Sequence, residues 1–366
     1  MNTTFITDPL MTTLGSTGPP FLLATELAKR GHNVTLTSLN VSEEVKKIAE
    51  GKNIEIRSLG SNFSIKNLDP IVEAWAKSLL KSENMFHIEK PADNDIVINT
   101  SSCIKAKSHV YYAQGPMTRA FDDMVMEMPA RYNYLYHLTA PLLKYLEKKT
   151  IRDHAYLSKS IIANSEFCAS MYKELDVKVD SVIPPPLDCT LFKPNTLQPA
   201  EDYVLTYFGV YSKETKFGVI KQVADSGVRI KAFGQKASGI PGCVARHSNI
   251  EFLGSVSNEE LVDLYSNALY VLFTFSHEPF GYIPIESMAC GTPVLTYNMQ
   301  GPSESVVNGS TGWLTDTNRE LVDLALKIWR DGYPQNMRRN CRERSSMFDL
   351  SYISDRWLQM LNEQPD

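Results

Sequence analysis

The sequence is poor in several features that would narrow its class. It has no CxxC pair: its six cysteines, at 103, 168, 189, 243, 290 and 341, stand apart along 366 residues. That scatter reads as buried free thiols in a reducing compartment and argues against a disulfide framework or a zinc site. It has no surplus of positive charge; a formal net charge of −5 argues against a general nucleic-acid binder. No apolar run approaches the roughly 18 residues needed to span a bilayer. The start, MNTTFITDPLMTTLG, has neither a basic n-region nor an apolar h-region. No secretory signal is expected, and a cytoplasmic location is. The Asn-x-Ser/Thr triplets at Asn33 and Asn62 are then chance matches.

What remains is ordinary globular composition, 43% hydrophobic and 22% charged. The length exceeds one ordinary core, so two domains are expected. The first forty residues read as a strand (TTFIT), a glycine-proline loop (LGSTGPP), a helix (FLLATELAKRGH) and a second strand (NVTLTSL). Leu22, Leu23, Leu27 and Ala28 form the helix stripe, and Gly31 stops it. That βαβ unit predicts a parallel sheet. Residues 95–101, 109–114 and 160–165 read as further strands, and 118–160 as mostly helical with a basic cluster at Lys144, Lys148, Lys149 and Arg152. Ser165 is a plausible cap for the helix that follows. Five prolines in 182–203 forbid helix and mark a linker. Beyond it the alternation resumes, with strands ending at Gly209, Gly234 and Gly254 and a capping box at Ser257 and Glu260. The expectation is an α/β chain of two Rossmann-like domains with parallel sheets facing a central cleft. The divisions are 1–190, 191–345 and a closing helix over 346–366.

The stretch HEPFGYIPIESMACGTPVLTYN, residues 277–298, sets Glu278 and Glu286 either side of Gly281. It follows an apolar strand over 269–276, which puts Glu278 at the carboxyl edge of the sheet, where doubly wound folds bind ligands. A helix is expected to start near Pro284, where proline at the first position costs nothing. Gly281 lets backbone approach a ligand closely. The amides of Gly281, Tyr282 and Ile283 would then face an anion at a helix mouth. Glu286 can accept hydrogen bonds from a ribose diol, and Glu278 would face whatever lies beyond the phosphates. That suits a nucleotide sugar. The plainer alternative has Glu278 capping a turn and Glu286 complementing the helix dipole.

EPFGYIPIE resembles the Glu-x7-Glu motif of retaining glycosyltransferases of group 1 (family 4), and SMACGTPVLTYNMQGPSESVVNGSTGWL resembles the segment that follows it there. IIANSEF with VIPPPLDCTLFKP resembles the end of that family's first domain, and NIEFLGSVSNEELVDLYSNALYVLFTFS the approach to the motif. The match covers about 160–315 and, loosely, the first forty residues. The resemblance implies a GT-B fold and a hexosyltransferase. Such an enzyme moves a hexose from a UDP- or GDP-sugar to a glycan, glycolipid or lipid-linked acceptor, with retention of configuration and no required metal. It implies Glu278 beside the donor sugar, Glu286 on the ribose, and Gly209, Gly281, Tyr282 and Ile283 along the diphosphate. A basic pair after the first strand of the second domain would neutralise the leaving diphosphate. Here GVYSKETKFG has Val210 where an arginine is usual, leaving Lys213 and Lys216 as candidates.

In the first domain, Gly15 and Gly18 would approach the diphosphate or acceptor. In YYAQGP, Gln114 takes the place of a histidine found in many relatives; it can orient a hydroxyl but cannot titrate. His109 is read as a structural histidine, and FDDM (121–124) not as a metal motif. The tail, 348–364, is expected to cross back onto the first domain through Tyr352, Trp357, Leu358 and Leu361. The basic, aromatic segment 132–154 has two readings: an anionic membrane surface, or an ordinary helix pair whose lysines face water. Two rival functions remain, a nucleotide-sugar epimerase or hydrolase of the same fold, and a silent relative that only binds a nucleotide sugar.

Overall fold

A computed structural model describes residues 1–363, except 14, 61–68, 81–86, 89–94, 126–129, 210–215, 235–239 and 276, and without the side chains of 16, 87, 95 and 130–132. The expected division put its boundaries at 190 and 345. The structure instead forms one unit from 1–119, 134–186 and 353–366, and a second from 120–133 and 187–352.

In the first unit the strands are β1 (Asn2–Thr7), β2 (Asn33–Ser38), β3 (Ile54–Ser58), β4 (His87–Ile88), β5 (Asp95–Asn99), β6 (Lys105–Ala106), β7 (Ser108–Ala113), β8 (Ser158–Ala163) and β9 (Ser181–Val182). Seven of them make a sheet in the order β3-β2-β1-β5-β7-β8-β9, parallel at every ladder, and β4 pairs with β6. The first helix, Gly18–Lys29, starts three residues before its expected position. Pro19 and Pro20 sit in its first turn, where amides have no intrahelical partner to lose. Gly31 follows at φ +84, as a helix stop requires. The basic segment is a single helix, Ala130–Leu157, rather than a helix pair.

The closing helix, Leu350–Asn362, buries Ile353, Trp357 and Leu361 in the core of the first unit with Phe5, Leu27 and Tyr112. Trp357 meets Tyr112 edge to face at 5.2 Å. Tyr352, expected on that apolar side, is exposed instead, because at about 100° per residue it lies roughly 140° around the helix from Trp357 and on the far side from Leu361.

In the second unit the strands are β10 (Val204–Tyr207), β11 (Ile230–Phe233), β12 (Ile250–Gly254), β13 (Tyr270–Leu272), β14 (Val294–Tyr297) and β15 (Gly312–Thr315). They form one parallel sheet, β12-β11-β10-β13-β14-β15. Strand β13 is shorter than the apolar run that encodes it. Its order reverses between β10 and β13, a topological switch point whose carboxyl side is the natural ligand crevice. Both sheet faces are covered. Ile285, Met288, Tyr265 and Phe273 pack on one, and Ile220, Val223, Leu321 and Ile328 on the other. The capping box at Ser257 and Glu260 is formed, and a second one pairs Thr317 with Glu320. Among the described residues no helix is long and apolar enough to cross a membrane.

Candidate functional site

The second unit's switch point is flanked by two loops, one after β10 and one after β13. The chain leaves β13, runs through Phe273 and Phe275, both buried, and turns at Glu278–Gly281 into the helix Tyr282–Ala289. The helix therefore begins two residues before Pro284. The proline is still in the first turn, so no helical hydrogen bond is lost. Gly281 is the N-cap, with φ +95 and ψ 88, and no side chain caps the helix. A side chain at 281 would be strained in that conformation and would press on Pro302 Cγ at 3.1 Å and Glu278 Cγ at 3.3 Å. Gly301 passes beneath the same turn. A Cβ there would lie 2.3 Å from the Phe280 Cα and 2.5 Å from the Pro279 oxygen. The turn that holds Glu278 thus depends on two glycines in different segments.

Glu286 lies just beyond the first turn of that helix. Tyr265 donates its hydroxyl to Glu286 Oε2 at 3.0 Å. Burial pushes the Glu286 carboxyl up to about 7, and the Tyr265 hydrogen bond works against that rise. A carboxylate so desolvated gains from any further hydroxyl donor, which is what a diol offers. Tyr207, at the end of β10, stacks between Phe233 and Phe275. Burial raises its phenol, and the charges of Glu278 and Glu286 add to that rise. Gly234 leaves room for this ring, since a Cβ there would meet Tyr207 Cε2 at 2.8 Å and the Phe208 oxygen at 2.1 Å.

Glu278 is held from behind. Its amide donates to Gln300 Oε1 at 2.7 Å, and its carbonyl accepts from Gly301 N at 3.1 Å. Gln300 Nε2 in turn donates to Asp123 Oδ2 at 3.3 Å. The same carboxylate oxygen lies 2.7 Å from Nδ1 of buried His277. A carboxylate at that distance can accept from Nδ1 and so fixes the orientation of the ring. So Asp123, Gln300 and His277 form one frame around the Glu278 backbone. FDDM contributes Asp123 to that frame, and among the described residues no group of three or more His, Cys, Asp and Glu could hold a metal.

After β10, Gly209 is buried; Lys213, like Val210, lies outside the described residues. Lys216 immediately precedes the helix Phe217–Asp225. Its ammonium lies 4.0 Å from the Tyr297 ring centroid and 3.4 Å from Asn318 Oδ1.

In the first unit, Gly15 takes φ +65 in a short 3₁₀ turn, and a Cβ on Gly18 would lie 3.1 Å from the Thr13 oxygen. Gln114 follows β7 and donates through Nε2 to the Thr100 oxygen at 3.4 Å. His109 accepts from Val97 N at 3.1 Å and is half-buried within β7, a structural position. The buried polar group the sequence reading missed there is Asp8. It follows β1 and accepts from Ser101 Oγ at 2.7 Å and Ser102 N at 2.9 Å. Burial raises its carboxyl against those bonds.

Residues 246–346 match the sequence model of the glycosyl transferases group 1. An alpha-1,3/1,6-mannosyltransferase of Neurospora crassa is 48% identical over 67 residues, 18% of this chain and 14% of that protein. A probable sucrose-phosphate synthase of Thermosipho melanesiensis is 39% identical over 94 residues, 24% and 22% of the two chains. The matched stretch thus spans less than a quarter of either relative. The solved structure of Anabaena Alr3699/HepE in complex with UDP superposes with a TM-score of 0.70 at 16% identity, covering 99% of this chain and 100% of that one. WaaG, a glycosyltransferase involved in lipopolysaccharide biosynthesis, gives a TM-score of 0.69 at 16% identity over the whole of both chains.

Proposed function

We propose that this chain, which has the GT-B fold and carries the group 1 glycosyl transferase segment in its second unit, is a hexosyltransferase. It takes a nucleotide-diphosphate sugar as donor and a hydroxyl of a glycan, glycolipid or lipid-linked sugar as acceptor. The observation that carries this reading is the Glu278–Gly281–Glu286 turn at the switch point, with Glu286 desolvated and already receiving one hydroxyl from Tyr265. Similar proteins named as mannosyltransferase and sucrose-phosphate synthase support sugar transfer, and a neighbour in complex with UDP makes a UDP-sugar the first donor to try.

In the proposed site Glu286 accepts from the ribose hydroxyls. The amides at Gly281, Tyr282 and Ile283 meet the diphosphate with the positive end of the helix. Glu278, framed by Gln300 and Gly301, takes a hydroxyl of the donor sugar. Charge grows on the diphosphate as the glycosidic bond breaks. Lys216, at the start of the helix that follows β10, is the cation proposed to meet that charge, with Lys213 in the preceding stretch as the second candidate. The acceptor hydroxyl attacks the face from which the diphosphate departs, and a phosphate oxygen takes its proton. That gives retention without a protein nucleophile. No step calls for a resident metal, so turnover should survive EDTA.

The test is a thermal-shift screen of UDP-, GDP- and ADP-sugars on the wild type and on Glu286→Ala. A donor at 100 times its Kd adds about 2.7 kcal/mol. One nucleotide sugar that stabilises the wild type and not the variant supports the site and identifies the donor. No shift with any of them would overturn the transferase reading. Free hexose released by wild type without acceptor would make the chain a hydrolase.

A further inference from the structure

The helix Ala130–Leu157 turns Tyr136, Ala140, Glu147, Ile151 and His154 inward, where they are buried. Its outward face should be polar. Instead Tyr134, Leu135, Leu138, Leu142 and Tyr145 are 74, 55, 68, 58 and 68% exposed. At 100° per residue all five fall within an arc of about 100°, so they form one stripe some 17 Å long. Among the described residues, six of the fourteen exposed large hydrophobics lie on this helix, the sixth being Tyr156. The others are scattered along the chain, which is normal for a surface; a contiguous stripe is not.

The stripe continues toward the helix's C-terminal end as Lys148, Lys149 and Arg152, with Lys144 beside it. From Tyr134 to Leu157 the helix has two acidic residues. Glu147 is buried, accepting from Met117 N, Thr118 N and Trp75 Nε1, and Asp153 pairs with Lys105 at 2.5 Å. Asp153, taken up by Lys105, falls at the edge of the outward arc beside the direction of Leu135, and the rest of that arc carries no carboxylate. Asp176, in the turn just after the helix Glu166–Glu174, pairs with Lys148 and Arg152 at 2.8 and 2.9 Å and offsets one of their charges. On a chain of net charge −5 this face is therefore locally basic.

We propose that this face docks on an anionic bilayer surface. Leucines and tyrosines on one arc with lysines along it are the composition of a helix that lies in the headgroup plane. The apolar tips enter the acyl boundary, the tyrosine hydroxyls stay at headgroup depth, and the lysine stems reach back to phosphates. Docking is independent of the transferase reading. Its consequence rests on that reading: the acceptor is then a sugar anchored to lipid in the same membrane rather than a free glycan.

Sedimentation with vesicles tests it, using phosphatidylcholine alone and phosphatidylcholine with about one third phosphatidylglycerol. Wild type should bind the anionic vesicles and release at high salt. Leu138→Glu/Leu142→Glu and, separately, Lys149→Glu/Arg152→Glu should each weaken binding by about tenfold or more. All are outward changes, and an unchanged melting temperature, with an unchanged shift on adding the UDP-sugar, shows that fold and donor site are intact. Failure of wild type to bind anionic vesicles overturns the proposal, as does binding that the leucine variant leaves unaltered. A wild-type dimer that Leu138→Glu/Leu142→Glu splits would also overturn it, assigning the stripe to a second copy. Vesicle binding without any nucleotide-sugar shift would leave the docking and remove the transferase reading; the converse result would do the reverse.

Discussion

At the scale of single residues, Glu286 is a carboxyl that burial has moved well away from its behaviour in water. Its folded carboxyl holds a proton to about 7, while in the unfolded chain it ionises near the ordinary 4.5. Between those values the folded state binds more protons than the unfolded state, so this group's contribution to stability falls as pH rises from about 4.5 to 7. Glu286→Gln should remove that slope. The melting temperature of the variant relative to wild type should be higher at pH 8 than at pH 5, and an equal difference at both would show that the carboxyl titrates normally. The residue scale is also where sequence reading fell short. Glu278, Gly281 and Glu286 were legible because they sit within nine positions of one another. Asp123 was not, because it meets His277 and Gln300 across 154 and 177 residues. Tyr265, 21 residues from Glu286, and Tyr207 drew no notice in the sequence, since nothing local separates a tyrosine that packs from one that packs and also donates its hydroxyl.

At the scale of elements, the chain's punctuation was readable where the physics is local. Ser257 with Glu260, Ser165 and Gly31 act within four residues of themselves, and each does what its spacing implies. Errors came where a neighbour decides the boundary. The helix at 282 starts early because Gly281 at φ +95 supplies the turn itself, without waiting for Pro284. The apolar run around β13 is cut to three ladder residues because its partners β10 and β14 set where pairing ends. Gly301 belongs to this scale, since one segment must leave space for another. Gly301→Ala would force the Phe280 backbone away and should cost about 2–4 kcal/mol in denaturant unfolding. It should also abolish nucleotide-sugar binding. A variant with wild-type stability and wild-type donor binding would show that the turn can shift freely.

For the whole molecule, the closing helix makes the chain return to its first unit after completing the second. Trp357, 2% exposed among Tyr112, Ile353 and Leu361, is its anchor. Trp357→Ala should cost about 3–5 kcal/mol. Because the anchor lies in the first unit, the loss should appear as earlier melting with the nucleotide-sugar shift still present in the fraction that remains folded. Loss of that shift at temperatures where the variant is folded would tie the second unit's site to this helix.

By itself the sequence determined the α/β alternation, the parallel sheets, the proline-rich passage after β9 and the pair of glutamates around Gly281. Each of these follows from hydrophobic period, glycine and proline placement, and spacing along a short stretch of chain. Tertiary structure alone decided which side chains surround those glutamates, where Lys216 rests, and that the outward face of 134–145 is apolar. Those depend on residues far apart in sequence coming within a few ångströms, and on which side of a helix the rest of the molecule covers. Neither is written in any one segment.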